Sequence, residues 1–370
     1  MKIAMIGQKG VSSRAGGIEI HVEEIGKRLA GMGHEVYIYT RPHYTDVSLK
    51  EYKGMKLIPL PTINSKHLDA ITHTFISSVH SLFKEFDIIH YHAIGPSTMS
   101  FIPRIFARKV VCTIHGLDWK REKWGKFAKM YLKLGEIAAC KIPHETIVVS
   151  NTLKKYLYDK YKRDSQFIPN GVNTPLKKEP EIIKNKYGLQ KDGYILFLAR
   201  LVPEKGVHYL LQAYNKILTN KKLVIAGGSS HSSDYEQKLK SLAGNNKNII
   251  FTGHVQGQEL SELFTNAYVY VLPSEIEGLP ISLLEALSYG QCSIVSNIDE
   301  NLEVIEDKGF TFENKNYVNL SQILSFLVNN PDEVYKKRKL VEEYVLTKYN
   351  WDSISKQTEQ LYMKILKEVF

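Results

Sequence analysis

Arg200 and Lys205 are the first side chains whose types and spacing suggest chemistry. Arg200 lies just past the apolar run Tyr194–Leu198, and Lys205 lies five residues on, where a helix is predicted to begin. Two cations at the carboxyl edge of a parallel sheet make a site for a doubly charged phosphate group. A surface charge is the alternative reading for either residue alone. A second group follows the apolar run Val269–Leu272, whose loop carries Glu277, Gly278 and Leu279 before a helix that Pro280 suits as its first-turn residue. Ile281, Leu284 and Leu287 give that helix a buried stripe. Glu277 precedes the helix and Glu285 sits a turn or more inside it, so the two carboxylates share no proton unless the loop folds back sharply. They read as separate acceptors for hydroxyl groups, with the Gly278 and Leu279 N–H groups offered to a phosphate. A solvated helix position is the alternative for Glu285. Its neighbours Leu283, Leu284, Ala286 and Leu287 are all apolar, however, and a carboxylate among them calls for a partner.

Gly7-Gln8-Lys9-Gly10 ends the first apolar run, and Ser12-Ser13-Arg14-Ala15-Gly16-Gly17 leads into a helix at Ile18-Glu19. A dinucleotide fold needs G-x-G-x-x-G at this turn, and the chain lacks that spacing. What remains is a Gly16-Gly17 pair at a helix N-terminus, where backbone N–H groups favour an anion or serve as a plain cap. His90 and His92 face the same side of one strand, and His115 ends another, so a metal site is conceivable. No fourth ligand suggests itself, and histidines at strand ends also serve as core or acceptor contacts.

The elements that must position these residues are short apolar runs alternating with amphipathic stretches, the pattern of an α/β protein with parallel sheets. The first half gives strands at Lys2–Ile6, Glu35–Tyr39, Ile88–Tyr91, Val110–Ile114 and Thr146–Val149. Helices fall near Glu19–Met32, Thr72–Glu85 and Trp124–Ala139. The polar stretch Pro169–Lys191 reads as a linker. A second series follows at Tyr194–Leu198, Lys222–Ala226, Ile249–Thr252, Val269–Leu272 and Ser293–Val295, and the chain closes on an amphipathic helix from about Trp351 to Phe370.

Composition sets the outer limits. With 370 residues the chain suits two domains, and 43% apolar with 24% charged residues is ordinary for a soluble globular protein. No apolar run reaches the length of about 18 residues that crosses a bilayer, and the N-terminus lacks the length and cleavage site of a signal peptide. Three scattered cysteines, Cys112, Cys140 and Cys292, fit neither a disulfide framework nor a zinc site, which makes a reducing cytoplasm the expectation. A formal charge of +10 suits nucleic acid, an anionic membrane or an anionic small substrate. No RNA-binding signature or basic repeat accompanies it, so no nucleic-acid partner is expected. The run Trp119–Lys133 mixes cations with aromatics, as a leaflet-contacting helix does, and equally as a solvated face whose rings turn to the core.

Gly16-Gly17, Arg200 with Lys205, and Glu277 spaced from Glu285 by an E-x7-E pattern together resemble the retaining GT-B glycosyltransferases of family 4. Pro169-Asn170-Gly171-Val172 and Thr252-Gly253-His254-Val255 add to the likeness, which spans the chain. It implies two Rossmann-like parallel-sheet domains facing a deep cleft. Residues 1–170 would form the acceptor domain and 171–353 the nucleotide-sugar domain, with a final helix at about 354–370 packing back on the first. Arg200 and Lys205 are then expected to bind the donor diphosphate, and Glu285 the ribose hydroxyls. Glu277, with the backbone of Gly278 and Leu279, is expected to hold the donor sugar and phosphate. Gly17, beside Gly16, would approach the diphosphate, the backbone near Val255 would meet the base, and His115 would face the donor sugar. Many members carry His-Asp where this chain has His115-Gly116-Leu117-Asp118, so Asp118 inherits no role. The run from His115 through Lys123-Trp124 resembles members in bacterial cell-surface polysaccharide pathways.

The expected activity is transfer of a sugar from a nucleotide diphosphate, a UDP-sugar above all, to a glycan or lipid-linked acceptor with retention. The expected place is the cytoplasm, at the inner face of the membrane where the acceptor requires it. No metal and no other cofactor is expected, since the chain has no Asp-x-Asp pair. Two alternatives stay open: a nucleotide-sugar epimerase of the same fold, and a non-catalytic sugar-nucleotide-binding protein.

Overall fold

Two parallel sheets organise the chain, each in its own unit: Met1–Gly171 with Trp351–Phe370, and Val172–Asn350. The computed structural model describes residues 1–11, 16–65, 68–122, 124–228 and 233–368, so Ser12–Ala15 and Lys123 lie outside the described residues.

The first unit runs β1 (Lys2–Ile6), α1 (Gly17–Gly31), β2 (Glu35–Thr40), β3 (Glu51–Tyr52), β4 (Met55–Pro59), α2 (Leu68–Leu82) and β5 (Ile88–His92). It continues through α3 (Ile94–Ser97), α4 (Phe101–Ile105), β6 (Val110–Ile114), α5 (Lys126–Lys141), β7 (Glu145–Val148), α6 (Asn151–Tyr161) and β8 (Gln166–Phe167). Its sheet has the order β3-β4-β2-β1-β5-β6-β7-β8, parallel throughout except for the β3–β4 pair. Strand order reverses between β1 and β5. Gly7, at φ +120° just after β1, is held there because a Cβ would stand 2.4 Å from the His92 carbonyl oxygen.

The second unit holds α7 (Ile182–Tyr187), β9 (Tyr194–Leu198), α8 (Val207–Tyr214), β10 (Lys222–Ala226), α9 (Ser233–Ala243), β11 (Ile249–Gly253) and α10 (Gly257–Asn266). After these come β12 (Val269–Leu272), α11 (Ile281–Ser288), β13 (Ser293–Ser296), α12 (Asp299–Ile305), β14 (Phe310–Phe312), α13 (Tyr317–Asn329) and α14 (Pro331–Lys348). The sheet order β11-β10-β9-β12-β13-β14 is the doubly wound 3-2-1-4-5-6 arrangement, all parallel. Its reversal falls between β9 and β12. The middle strands carry near-continuous apolar runs, as parallel strands covered on both faces must.

The last helix, α15 (Trp351–Lys367), belongs to the first unit. Trp351, Ile354, Leu361, Tyr362 and Ile365 recur at helical spacing and enter the core with Ile3, Val22, Ile25 and Leu29. The chain between the sheets is no open linker: Ile183 in α7 is buried, and its N–H donates to Glu262 Oε2 at 3.0 Å, so apolar burial folds that stretch into the second unit. Among the described residues, no helix is long and apolar enough to cross a membrane.

Candidate active site

Ligands of doubly wound sheets bind beyond the carboxyl ends of the strands, where strand order reverses. In the second unit that place lies between the loops leaving β9 and β12, and both groups of chemically suggestive residues are there. Leu198 ends β9, Arg200 follows, and a 3₁₀ turn at Pro203–Lys205 delivers Lys205. Gly206 then takes φ +67°, and a Cβ would come within 1.9 Å of the Pro273 carbonyl oxygen, so only glycine lets the two loops touch. The Glu275 N–H donates to the Glu204 carbonyl at 2.9 Å, tying them again. Across this seam Lys205 Nζ bonds Glu277 Oε1 at 2.5 Å, with both side chains largely shielded. The sequence placed each residue at its loop but left this pair unseen, since 72 positions separate them.

Pro280 is the N-cap of α11, with extended ψ 107°, and stands one position ahead of the expected first turn. Ile281, Leu283, Leu284, Ala286 and Leu287 are buried, leaving Ser282 and Glu285 half-exposed three residues apart on one side. The buried Tyr270 hydroxyl lies 3.0 Å from Ser282 Oγ and 3.1 Å from the Leu198 carbonyl. Its ionisation is suppressed by burial above all, and the charges of Glu277 and Glu285 add to that. Tyr270 thus ties the end of β9 to the first turn of α11. Gly278 and Leu279 fill the turn into the helix, whose first N–H groups have no intrahelical acceptor. Val255 is buried just past β11, and β11 stands two strands from β9, about 10 Å away at sheet spacing. A site using both ends of this edge suits an elongated ligand with a charged middle.

In the first unit Gly16 caps α1 in extended conformation and Gly17 opens the helix, so the pair does sit at a helix N-terminus. Glu19 shares that end: its Oε1 accepts from the Lys9 N–H at 3.1 Å, and the carboxylate already answers part of the helix's positive end.

Four histidines gather at the carboxyl ends of β5 and β6. His90 and His92 lie side by side with ring centroids 4.1 Å apart. His90 is engaged by the Tyr362 hydroxyl at 2.5 Å and by Thr113 Oγ1 at 2.7 Å. His92 Nδ1 meets His115 Nε2 at 3.3 Å, and His21 of α1, whose Nδ1 pairs with Asn170 Oδ1 at 2.9 Å, stands edge-on to His115 at 4.6 Å. The nitrogens that could converge on an ion therefore belong to His21, His92 and His115, not His90, and lie within 4.8 Å of one another. Burial lowers all four basicities, His21 to about 4 and His90 to about 3. The rings are neutral imidazoles at neutral pH, able to ligate or to hydrogen-bond. His21 escaped the sequence reading because its partners lie far off in the chain; its place four residues after Gly17 was the available signal. Asp118 pairs locally with Arg121 at 3.0 Å.

The second unit thus has the doubly wound α/β sheet order, with a cation–carboxylate pair at its strand reversal. The family described as Glycosyl transferases group 1 matches residues 179–348, and Glycosyltransferase Family 4 matches residues 15–175. An uncharacterized glycosyltransferase of Methanocaldococcus jannaschii is 29% identical, over 100% of this chain and 99% of its own. The UDP-Gal:alpha-D-GlcNAc-diphosphoundecaprenol alpha-1,3-galactosyltransferase of Escherichia coli is 28% identical, over 64% of this chain and 65% of its own. Among solved structures, sucrose-phosphate synthase from Thermosynechococcus elongatus has a TM-score of 0.85 at 22% identity, covering 99% of each chain. Anabaena HepE, solved in complex with UDP and glucose, has a TM-score of 0.84 at 16% identity, covering 98% of this chain and 100% of its own. The chain belongs to the group 1, family 4 glycosyltransferases of GT-B fold, and it is an enzyme.

Proposed function

We propose that the enzyme moves a sugar from a UDP-sugar to a lipid-linked glycan acceptor, with retention and without a metal, in building bacterial cell-surface polysaccharide or glycolipid. The observation that carries this reading is the seam at the β9–β12 reversal, where the Lys205–Glu277 pair joins the loop that follows Arg200 to the loop that enters α11. A diphosphate laid there meets Arg200, Lys205 and the N–H groups of Gly278 and Leu279. Glu285 then takes the ribose hydroxyls and the backbone near Val255 the base. Lys205 stands between Glu277 and the diphosphate, so the carboxylate can face a sugar hydroxyl without meeting phosphate charge directly. As the sugar–oxygen bond breaks, negative charge grows on the departing phosphate, and preorganised cations stabilise it most at that moment. The same phosphate oxygen takes the proton of the incoming hydroxyl, so no side-chain base is needed. To the first unit we carry over what the resemblance implies: Gly16-Gly17 toward the diphosphate and His115 toward the donor sugar. The E. coli relative's name includes a UDP-sugar donor and a diphosphoundecaprenol acceptor, which supports the choice of both substrate classes.

The test is a panel of nucleotide sugars in a thermal-shift assay, followed by NMR of the first glycoside formed. A donor bound at 100 times its Kd stabilises by about 2.7 kcal/mol. An inverted anomer, or no shift with any nucleotide sugar, refutes the reading. Conversion of the donor without acceptor would indicate the epimerase instead.

A further inference from the structure

The first unit gathers three histidines whose combination the donor chemistry does not explain. His21 comes from α1, His92 ends β5 and His115 stands just past β6. Their ring centroids are 5.6 Å apart for His21 and His92, 4.6 Å for His21 and His115, and 5.6 Å for His92 and His115. Three imidazoles round a tetrahedral ion, bonded at about 2.0–2.1 Å, have their ring centres about 5 Å apart. The rings therefore already stand at the spacing an ion requires. One nitrogen from each lies within 4.8 Å of the others, against the roughly 3.4 Å of a tetrahedral site, a difference that small turns of the rings take up.

The surroundings prepare these nitrogens. His21 Nδ1 donates to Asn170 Oδ1 at 2.9 Å, an oxygen that only accepts, so Nε2 keeps its lone pair. A bond of this kind at the far nitrogen fixes the tautomer and orientation of a ligating imidazole. His92 is fully buried, and its Nε2 has no hydrogen-bond partner among the described residues. An orphan of that kind calls for a partner which the side chains around it do not supply. His90, beside His92, differs: Tyr362 and Thr113 take both its nitrogens, so it supports the cluster without joining it. His115 is half-buried, which leaves the cluster open on one side.

We propose that His21, His92 and His115 bind a divalent transition-metal ion, zinc above all, and that the bound ion inhibits the transferase. A ligand set of imidazole alone suits zinc, whereas Mg²⁺ and Mn²⁺ favour oxygen. Three protein ligands leave a fourth position for water or an anion. The transfer proposed above needs no metal, so an ion here opposes it. Positive charge builds on the sugar as its bond to phosphate breaks, and a dication held at His115 repels that charge. The inhibition rests on the reading that places His115 toward the donor sugar; the binding site does not.

Full-length protein is stripped with EDTA and titrated with Co²⁺, whose visible bands are intense in four-coordinate sites, and Zn²⁺ is then added to displace it. Tight binding of a single equivalent is expected, and X-ray absorption of the zinc-loaded parent should show imidazole ligands at about 2.0–2.1 Å. His21→Gln should weaken zinc binding at least about 100-fold and Asn170→Ala about tenfold. His208→Gln, in the second unit, should bind as the parent does. Circular dichroism matching the parent establishes that the variants are folded, and the absorption spectrum requires no variant. Loss of zinc on simple dialysis, a shell of oxygen ligands, or parental binding by folded His21→Gln overturns the site. Transfer is assayed with and without zinc; inhibition is expected, and Asn170→Ala should require about tenfold more zinc for it. Zinc bound with transfer undiminished overturns the inhibition, and with it the placement of His115 at the donor sugar. Failure to bind zinc overturns the site and leaves that placement standing.

Discussion

Lys205 and Glu277 meet as an ion pair whose side chains are 14% and 7% exposed, joining the loops that leave β9 and β12. Each residue is therefore both a binding group and a brace. Removing either leaves the other as a shielded charge without its partner, which costs far more than an exposed pair would.

Lys205→Ala and Glu277→Ala are each expected to destabilise the fold by about 3 kcal/mol. The double variant should lose less than the sum of the two, with a coupling of about 1–3 kcal/mol. Urea unfolding of the four proteins measures this. Additive losses would mean that the pair is not coupled.

Arg200→Ala probes the kinetics of the same seam. It should lower kcat roughly 10²–10³-fold while changing KM little, because its contact strengthens as charge develops. Glu285→Ala should instead raise KM, the ribose hydroxyls being the same in ground and transition states. An Arg200→Ala enzyme with intact kcat and raised KM alone would remove Arg200 from the chemistry.

Activity is expected to survive EDTA nearly unchanged. A loss restored by a divalent ion would instead point to His21, His92 and His115, and His21→Ala should then abolish the restoration.

Burial holds His21 at about 4 and His90 at about 3, below the ordinary 6.5. The unfolded chain therefore binds more protons than the folded one as pH drops below about 6.5, and stability falls with it. Each such group adds a slope of about 1.4 kcal/mol per pH unit until its folded value is reached. Stability should thus be flat above neutrality and decline from about pH 6.5 toward 4. Urea midpoints that do not change across that window would contradict the neutral, buried state of these rings.

Much of the fold could be read from apolar runs alone. Lys2–Ile6, Val110–Ile114, Tyr194–Leu198, Lys222–Ala226 and Val269–Leu272 are strands at the residues the sequence marked. Such central strands are apolar on both faces, which makes them conspicuous. Met55–Pro59 went unseen because Lys56 is exposed and Pro59 closes the strand, which blurs its pattern. Pro169–Lys191 looked like a linker because polarity outweighed Ile183, whose burial depends on Glu262 in a helix far along the chain. Arg200, Lys205 and Glu277 were visible as residues at element ends, and Glu285 as a carboxylate among apolar neighbours inside a helix. The Lys205–Glu277 pair and the entry of His21 were not, because both are products of sheet order, which local spacing does not encode.

The return of α15 to the first unit has a consequence for biosynthesis. Trp351, Ile354, Leu361, Tyr362 and Ile365 are made only after the whole of Val172–Asn350, yet they line the core beneath β1 and α1. At ordinary translation rates, the first sheet waits roughly 10–40 s for them with apolar surface uncovered. The second unit, continuous in sequence, suffers no such delay. The nascent chain thus reaches its native order from the middle outward, and chaperone dependence should concentrate on its earliest residues.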